Sequence, residues 1–312
     1  MASLWLLNLD AELEWAAKRR GPSYAPTREV RSILAGAGSL ATGLLGPGDR
    51  WLEPSGSAWI PGAEWIGRAF CPSPDARQRF ADLGVETELW PDLAIVEQAN
   101  DRSFLFEHHL APPASMHWTD VDDCVAFLAK ERAGGDWLAK RALGTAGRGQ
   151  RALRPGALSA ADQDWLRASF ELGAVIVEPR RKLVAEYSLH GRLHPGGQVL
   201  RGRPLRFTTK QGSYRSAVPI DANELDGHAW ARFEHAFISS ANELHRSGYF
   251  GPFGIDAYCW QEGSATYFEP CSELNARYTL AWGIGMELAG PEALRPYRQT
   301  SDECTSDAEL MQ

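Results

Sequence analysis

Hydrophobic and polar positions along the chain switch between two periods. An apolar run at residues 3–9 predicts a short buried strand, and residues 11–20 predict a helix that Gly21-Pro22 stops. Residues 30–46, where Ile33, Leu34 and Ala35 meet Gly36 and Gly38, predict a strand followed by loop. Pro, Gly and Ser over 53–62 predict loop, residues 76–83 a helix, and residues 86–90 a strand. Strands that alternate with helices predict an α/β layer, a parallel sheet with covered faces.

The texture changes near residue 119. Thr119 or Asp120 predicts the start of a helix over 121–132, with Val121, Cys124, Val125 and Leu128 on one face and Gly134-Gly135 at its end. A strand at 136–140 leads into a glycine-rich loop at 144–149. Ser159 caps a helix that runs to 171, and the apolar strand 174–179 ends in an acid. Residues 183–190 alternate as a half-buried strand does, and 196–219 predict a hairpin region with strands near 199–200 and 205–209. Residues 226–247 form one long amphipathic pattern through Trp230, Phe233, Phe237, Ile238, Ala241 and Leu244. Strands at 251–260 and 266–269 flank a turn at Gly263, a last helix starts within 275–289, and 301–312 is a polar tail.

Composition narrows the function classes. A length of 312 residues predicts roughly two domains, and 44% hydrophobic with 23% charged residues is ordinary globular composition. A net charge of −8 without a basic block excludes general affinity for nucleic acid or anionic membrane, but not for a small phosphorylated ligand. No apolar run reaches the ~18 residues of a membrane span. The opening residues lack a basic region and meet acids at once, so the expected compartment is the cytoplasm. Cys71, Cys124, Cys259, Cys271 and Cys304 are odd in number and widely spread, which predicts single thiols rather than disulfides or a zinc site. Lysine is scarce, so Lys140, inside an apolar stretch, stands out.

Four pieces carry chemistry. Lys140 ends a strand just before Gly144, Gly147, Arg148 and Gly149, a loop whose backbone N–H groups can wrap anionic oxygens beside a point charge. Glu178 ends the next apolar strand, and Glu186 lies eight residues on. Two acids bordering a crossover suit an adenosine, one beside the backbone that reads the adenine edge and one accepting from ribose hydroxyls. Asp256 sits between apolar residues on a predicted strand, where an acid is costly unless paired or ligating. Glu273 and Asn275, two apart on an extended segment, project the same way and with Asp256 offer hard oxygen donors for Mg²⁺ bridging substrate phosphates. Arg277 follows, placed to hold a transferred phosphate or an acyl-phosphate oxygen.

Together these pieces, spread over roughly residues 100–290, resemble the ATP-grasp superfamily. The likeness is most specific in Glu273-x-Asn275-x-Arg277 after Gly254-Ile255-Asp256 and in Val177-Glu178-Pro179 with Ala185-Glu186-Tyr187-Ser188. It implies an N-terminal α/β domain at 1–100 and an ATP-grasp domain at 101–300, made of two α+β subdomains split near 178 and followed by the tail. It also implies an ADP-forming ligase that joins a carboxylate to an amine, with ATP and Mg²⁺ as cofactors. Lys140 and the glycine loop would be the phosphate lid, Glu178 and Glu186 the adenine hinge and ribose acid, and Arg102 an earlier basic contact to the nucleotide. Asp256, Glu273 and Asn275 would be metal ligands, with Glu269 an alternative to Glu273 because the spacing from Asp256 is long. The implied partners are a small carboxylate and an amine, an amino acid or peptide among them, and the prior for oligomeric state is a homodimer.

Each piece also has a plainer reading. The loop can be ordinary surface, and the two acids can be strand ends. Trp5, Trp15, Trp51, Trp59, Trp65 and Trp90 are expected to pack, not to stack on substrate, and His108, His109 and His117 are expected to be loop or partly buried histidines rather than metal ligands. Arg180, Arg181 and Lys182 read as a solvated turn, and one or two of Arg201, Arg203, Arg206, Lys210 and Arg215 are expected near the cleft. Two functions compete with ligation: phosphoryl transfer on the same fold, and non-catalytic nucleotide binding, which the retention of Asp256, Glu273 and Asn275 argues against.

Overall fold

The structure is a computed structural model that describes residues 2–21, 24–38, 41–52, 64–131, 135–144, 147–210, 213–290, 293 and 295–298. The loop predicted at 53–62, with Trp59 in it, Gly134, Cys304 and the tail at 301–312 lie outside the described residues.

Strand β1 (Ala2–Leu6) is apolar and buried on both faces, as a parallel strand needs to be. Helix α1 (Ala11–Lys18) follows, then α2 (Arg28–Ala37), β2 (Arg50–Trp51) and β3 (Trp65–Ala69). The three strands form a parallel sheet in the order β2-β1-β3. The strand predicted within 30–46 is instead α2. The Thr27 hydroxyl accepts the Val30 N–H at 3.3 Å and starts the helix, and Gly36 and the small residues had hidden its helical pattern. Helix α3 (Pro74–Asp82) is capped by Ser73; the strand predicted at 86–90 reduces to a single bridge between Thr87 and Gly67. Helices α4 (Leu93–Asn100) and α5 (Ser103–Glu107) lead out of this unit.

A second, antiparallel sheet is formed by β4 (Met116–Trp118), then, after α6 (Val121–Lys130), by β5 (Trp137–Arg141) and β6 (Gln150–Leu153), and, after α7 (Ala160–Phe170), by β7 (Val175–Pro179), in the order β4-β7-β5-β6. Asp120 caps α6, and Ser159 and Asp162 form a capping box on α7. Both helices bury apolar faces against Trp137, Ala139, Val175 and Val177 in a core of their own.

The largest sheet has six strands. They are β8 (Lys182–Leu193), β9 (Val199–Arg201), β10 (Leu205–Lys210), β11 (Ser213–Pro219) and, after α8 (Gly227–Arg246), β12 (Gly251–Glu262) and β13 (Ala265–Asn275). β13 runs well past the predicted 266–269 because Phe268, Cys271 and Leu274 keep an apolar face over α8. The last helix, α9 (Trp282–Met286), starts within the predicted window and leaves residues 276–281 as a connection. Asn100 grips that connection: its Nδ2 donates to Ala276 O and its Oδ1 accepts from Ala276 N–H, both at 3.1 Å. The chain is thus an N-terminal α/β unit followed by two α+β units, the fold class that the sequence predicts. Cys71, Cys124 and Cys271 are buried and Cys259 half-buried, all as free thiols.

Candidate functional site

A cleft of about 690 Å³ opens between the two antiparallel sheets and the N-terminal unit. Lys140, Gly144, Gly147, Arg148, Glu178, Glu186, Asp256, Glu273, Asn275, Arg277 and Arg102 all line it. Elements far apart in the chain have brought the predicted pieces to one place.

The floor is built in rows across the large sheet. Ser188 of β8 pairs with Asp256 of β12, and Asp256 pairs with Glu273 of β13. One row further, His190 pairs with Gly254 and Gly254 with Asn275. Cross-strand partners share a face, so Asp256 and Glu273 stand side by side despite their sequence separation. The long hairpin absorbs that separation, with a bulge between Asp256 and Tyr258. Asn275 Nδ2 donates to Asp256 Oδ2 at 3.2 Å. Burial, then the neighbouring Glu273 carboxylate, pushes Asp256 up to about 8. Burial would raise Glu273 too, but Arg102, Lys140 and Arg277 outweigh it and leave that carboxyl below its usual range. Of the pair, Glu273 is therefore the more readily charged and Asp256 the more readily protonated.

Two carboxylates and an amide oxygen are hard donors. Among the described residues no group of three His, Cys, Asp or Glu side chains can hold a metal by itself. A divalent ion here would complete its shell with ligand oxygens and water, the habit of Mg²⁺. Glu269, the alternative ligand, lies elsewhere. It faces a second cavity of about 280 Å³ with Arg232, Trp260 and Tyr267, where burial pushes it up to about 7.

The opposite wall comes from the smaller sheet. Lys140 and Glu178 are both buried and form an ion pair at 2.5 Å. Ser115 also donates to Glu178, at 3.4 Å. After β5 the chain turns through Gly147 and Gly149 at φ near +75°, a region that side chains strongly disfavour. A Cβ on Gly144 would lie 2.6 Å from the Arg148 carbonyl oxygen, so the backbones at Gly144 and Arg148 approach closely. Arg102 ties the end of β5, just before this loop, to the floor: it donates to Arg141 O at 2.9 Å and pairs with Glu273. Glu186 accepts from Thr209 Oγ1 at 2.9 Å, and burial raises its carboxyl.

Arg277 is shared between units. Its Nε donates to Glu12 Oε1 at 2.5 Å, its Nη1 donates to Tyr278 O, and its guanidinium lies 5.5 Å from the Phe70 ring centre. Glu12 was invisible as a site residue; the available signal was a buried acid in the first turn of a helix that follows an apolar strand. Ser188 and His190 were missed as well. Both line the cleft, and Ser188 Oγ and His190 Nδ1 are buried without a hydrogen-bond partner among the described residues. Burial pushes His190 down to about 3, so its ring is neutral, with Nε2 on Thr279 Oγ1 at 2.8 Å.

His108, His117, Trp5 and Trp15 have packing or pairing partners, whereas Arg180 and Arg181, expected in a solvated turn, also line the cleft. His108 pairs with Glu243 and His117 with Ser103, Arg180 meets Asp136, and Arg181 meets Glu262. Trp5 and Trp15 are core residues. Of the basic residues in the hairpin region, Arg215 lines the cleft, whereas Arg201 and Arg203 pair with Glu234 and Glu287.

No family model and no curated protein matches this chain. Solved structures do. D-alanyl-alanine synthetase A from Vibrio cholerae O1 biovar eltor is similar at a TM-score of 0.53 and 14% identity, over 93% of this chain and 94% of that one. D-alanine–D-alanine ligase from Bacillus anthracis, complexed with ATP, gives 0.51 and 11% over 94% and 93%. N5-carboxyaminoimidazole synthetase from Staphylococcus aureus, complexed with ADP, gives 0.48 and 12% over 89% and 71%. The likeness to the first two shows that this chain has the ATP-grasp fold.

Proposed function

We propose that the protein is an ATP-dependent ligase that joins a small carboxylate to an amine through an acyl phosphate, releasing ADP and phosphate. One observation carries the reading: Asp256 and Glu273 stand paired, with Asn275 beside them, on the floor of a cleft whose other wall holds Lys140 and a glycine loop. The two halves that grip the nucleotide are residues 101–178 and 179–300.

In this reading the triphosphate lies between the floor and the loop. Lys140 and the N–H groups around Gly144, Gly147 and Arg148 hold its oxygens, with Gly149 closing the turn behind them, Glu178 flanks the adenine, and Glu186 accepts from the ribose. Asp256, Glu273 and Asn275 would hold Mg²⁺, which would supply neutralising charge to the phosphates. Arg102 and Arg277 add fixed positive charge beside the floor. The substrate carboxylate oxygen bonds to the γ-phosphorus as the bond to the β-phosphate oxygen breaks, and ADP is the leaving group. The amine then attacks the acyl carbon, the phosphate leaves with the bonding electrons, and the amine proton passes to phosphate or water. The chain supplies position and charge rather than a covalent nucleophile. Closure of the glycine loop excludes water that would hydrolyse the acyl phosphate.

The test is product analysis with paired panels of acids and amines. The expected products are ADP, free phosphate and an amide, formed only when both substrates are present. AMP with pyrophosphate, or phosphate that stays on the acceptor, would overturn the reading.

A further inference from the structure

The cleft changes character from one side to the other. The two antiparallel sheets line it with the charged groups and, among them, with Leu138, Leu183, Phe207 and Ala257. The N-terminal unit lines it with Leu9, Leu13, Val30, Leu34 and Phe70, and Asp10 and Ser32 are the polar members of that wall among the described residues. The apolar members come from four places: the connection after β1, the first turn of α1, one face of α2 and the residue after β3. Val30 and Leu34 are one helical turn apart and so share a face. Leu9, Leu13 and Leu34 are only half-buried, so their remaining surface is turned to the cleft. Apolar surface left wet gains about 25 cal/mol for each Å² that a ligand covers. Leu280, after β13, adds to the same wall.

Arg277 stands where the two sides meet. It is bound to Glu12, lies over Phe70, and feels the Glu273 carboxylate. A carboxylate held beside Arg277 and the acid pair directs the rest of its molecule onto Phe70 and the leucines. We propose that the acid substrate carries an apolar body, a branched aliphatic or aromatic group, seated in the recess of Leu9, Leu13, Val30, Leu34 and Phe70. The inference rests on the ligase reading for which substrate enters, but not for the chemistry of the recess.

Equilibrium binding separates the two. Racemic leucine is compared with racemic asparagine, and 4-methylpentanoate with succinamate, each on the full chain with Mg²⁺ and a non-hydrolysable ATP analogue. Each pair matches size and differs in polarity. The apolar member is expected to bind at least about tenfold more tightly. Leu34→Asn and Leu13→Asn, on separate helices, are expected to remove that preference while affinity for the ATP analogue stays the same. Equal binding of the polar members, no binding by any acid, or a preference that survives in variants that still bind the analogue would overturn the inference. If the preference is found but no acid and amine yield ADP and phosphate, the recess stands and the ligase reading falls.

Discussion

The Lys140–Glu178 pair shows how a functional charge is kept inside a wall. Each side chain is about one-tenth exposed, and each would be an uncompensated buried charge without the other. Lys140→Ala therefore strips a contact from the triphosphate and also leaves Glu178 without its cation. The expected result is weaker nucleotide binding together with a stability loss of about 3–5 kcal/mol. Adding Glu178→Gln should recover most of the stability, read from urea midpoints, but not the nucleotide affinity. His190 sets a second expectation. Its ordinary value of 6.5 falls to about 3 in the folded chain because the ring is buried. Below pH 6.5 the unfolded chain takes up a proton that the folded chain refuses. Stability is thus complete above 6.5 and drops, by about 1.4 kcal/mol per pH unit, as pH falls towards 3. Urea unfolding of the wild type against His190→Gln should isolate that slope.

At the level of elements, the large sheet aligns the site by register. Gly254 lies between His190 and Asn275 in one row, and a Cβ there would come within 2.7 Å of His190 Cδ2. Gly254→Ala should cost about 1–3 kcal/mol, visible as a lowered Tm, and should shift Asn275 enough to weaken nucleotide binding. Much of this architecture was legible in the sequence. Strands β5, β7 and β8 announced themselves because each has an apolar stretch that is interrupted by a charged residue where none is expected: Lys140, Glu178 and Glu186. Asp256 was legible for the same reason. Helix α2 was not, because Gly36 and its small neighbours blur the helical period, and its start depends on one Thr27 hydroxyl. Glu273 was expected beside Asp256, but the sequence left Glu269 open as an alternative. The pairing depends on a bulge, and a one-residue slip in register redirects every side chain after it.

The whole molecule adds what no single element specifies, a cleft closed on three sides. The N-terminal unit reaches into the grasp through Glu12 on Arg277, Asn100 on Ala276, and Tyr278 N–H on Phe70 O. Long-range contacts of this kind leave no periodic trace in the chain, which is why Glu12 and the apolar wall emerged only from the fold. Asn100→Ala removes both hydrogen bonds to Ala276 and should cost about 1–3 kcal/mol. Because Ala276 precedes Arg277, the same variant should lower kcat more than it weakens nucleotide binding. The most direct test of the account is calorimetric titration with a non-hydrolysable ATP analogue, with and without Mg²⁺, in the wild type and in Asp256→Asn/Glu273→Gln. The account predicts at least about tenfold tighter binding with the cation in the wild type and no such gain in the double variant. The same affinity with and without Mg²⁺ in the wild type, or a gain that persists in the double variant, would contradict it.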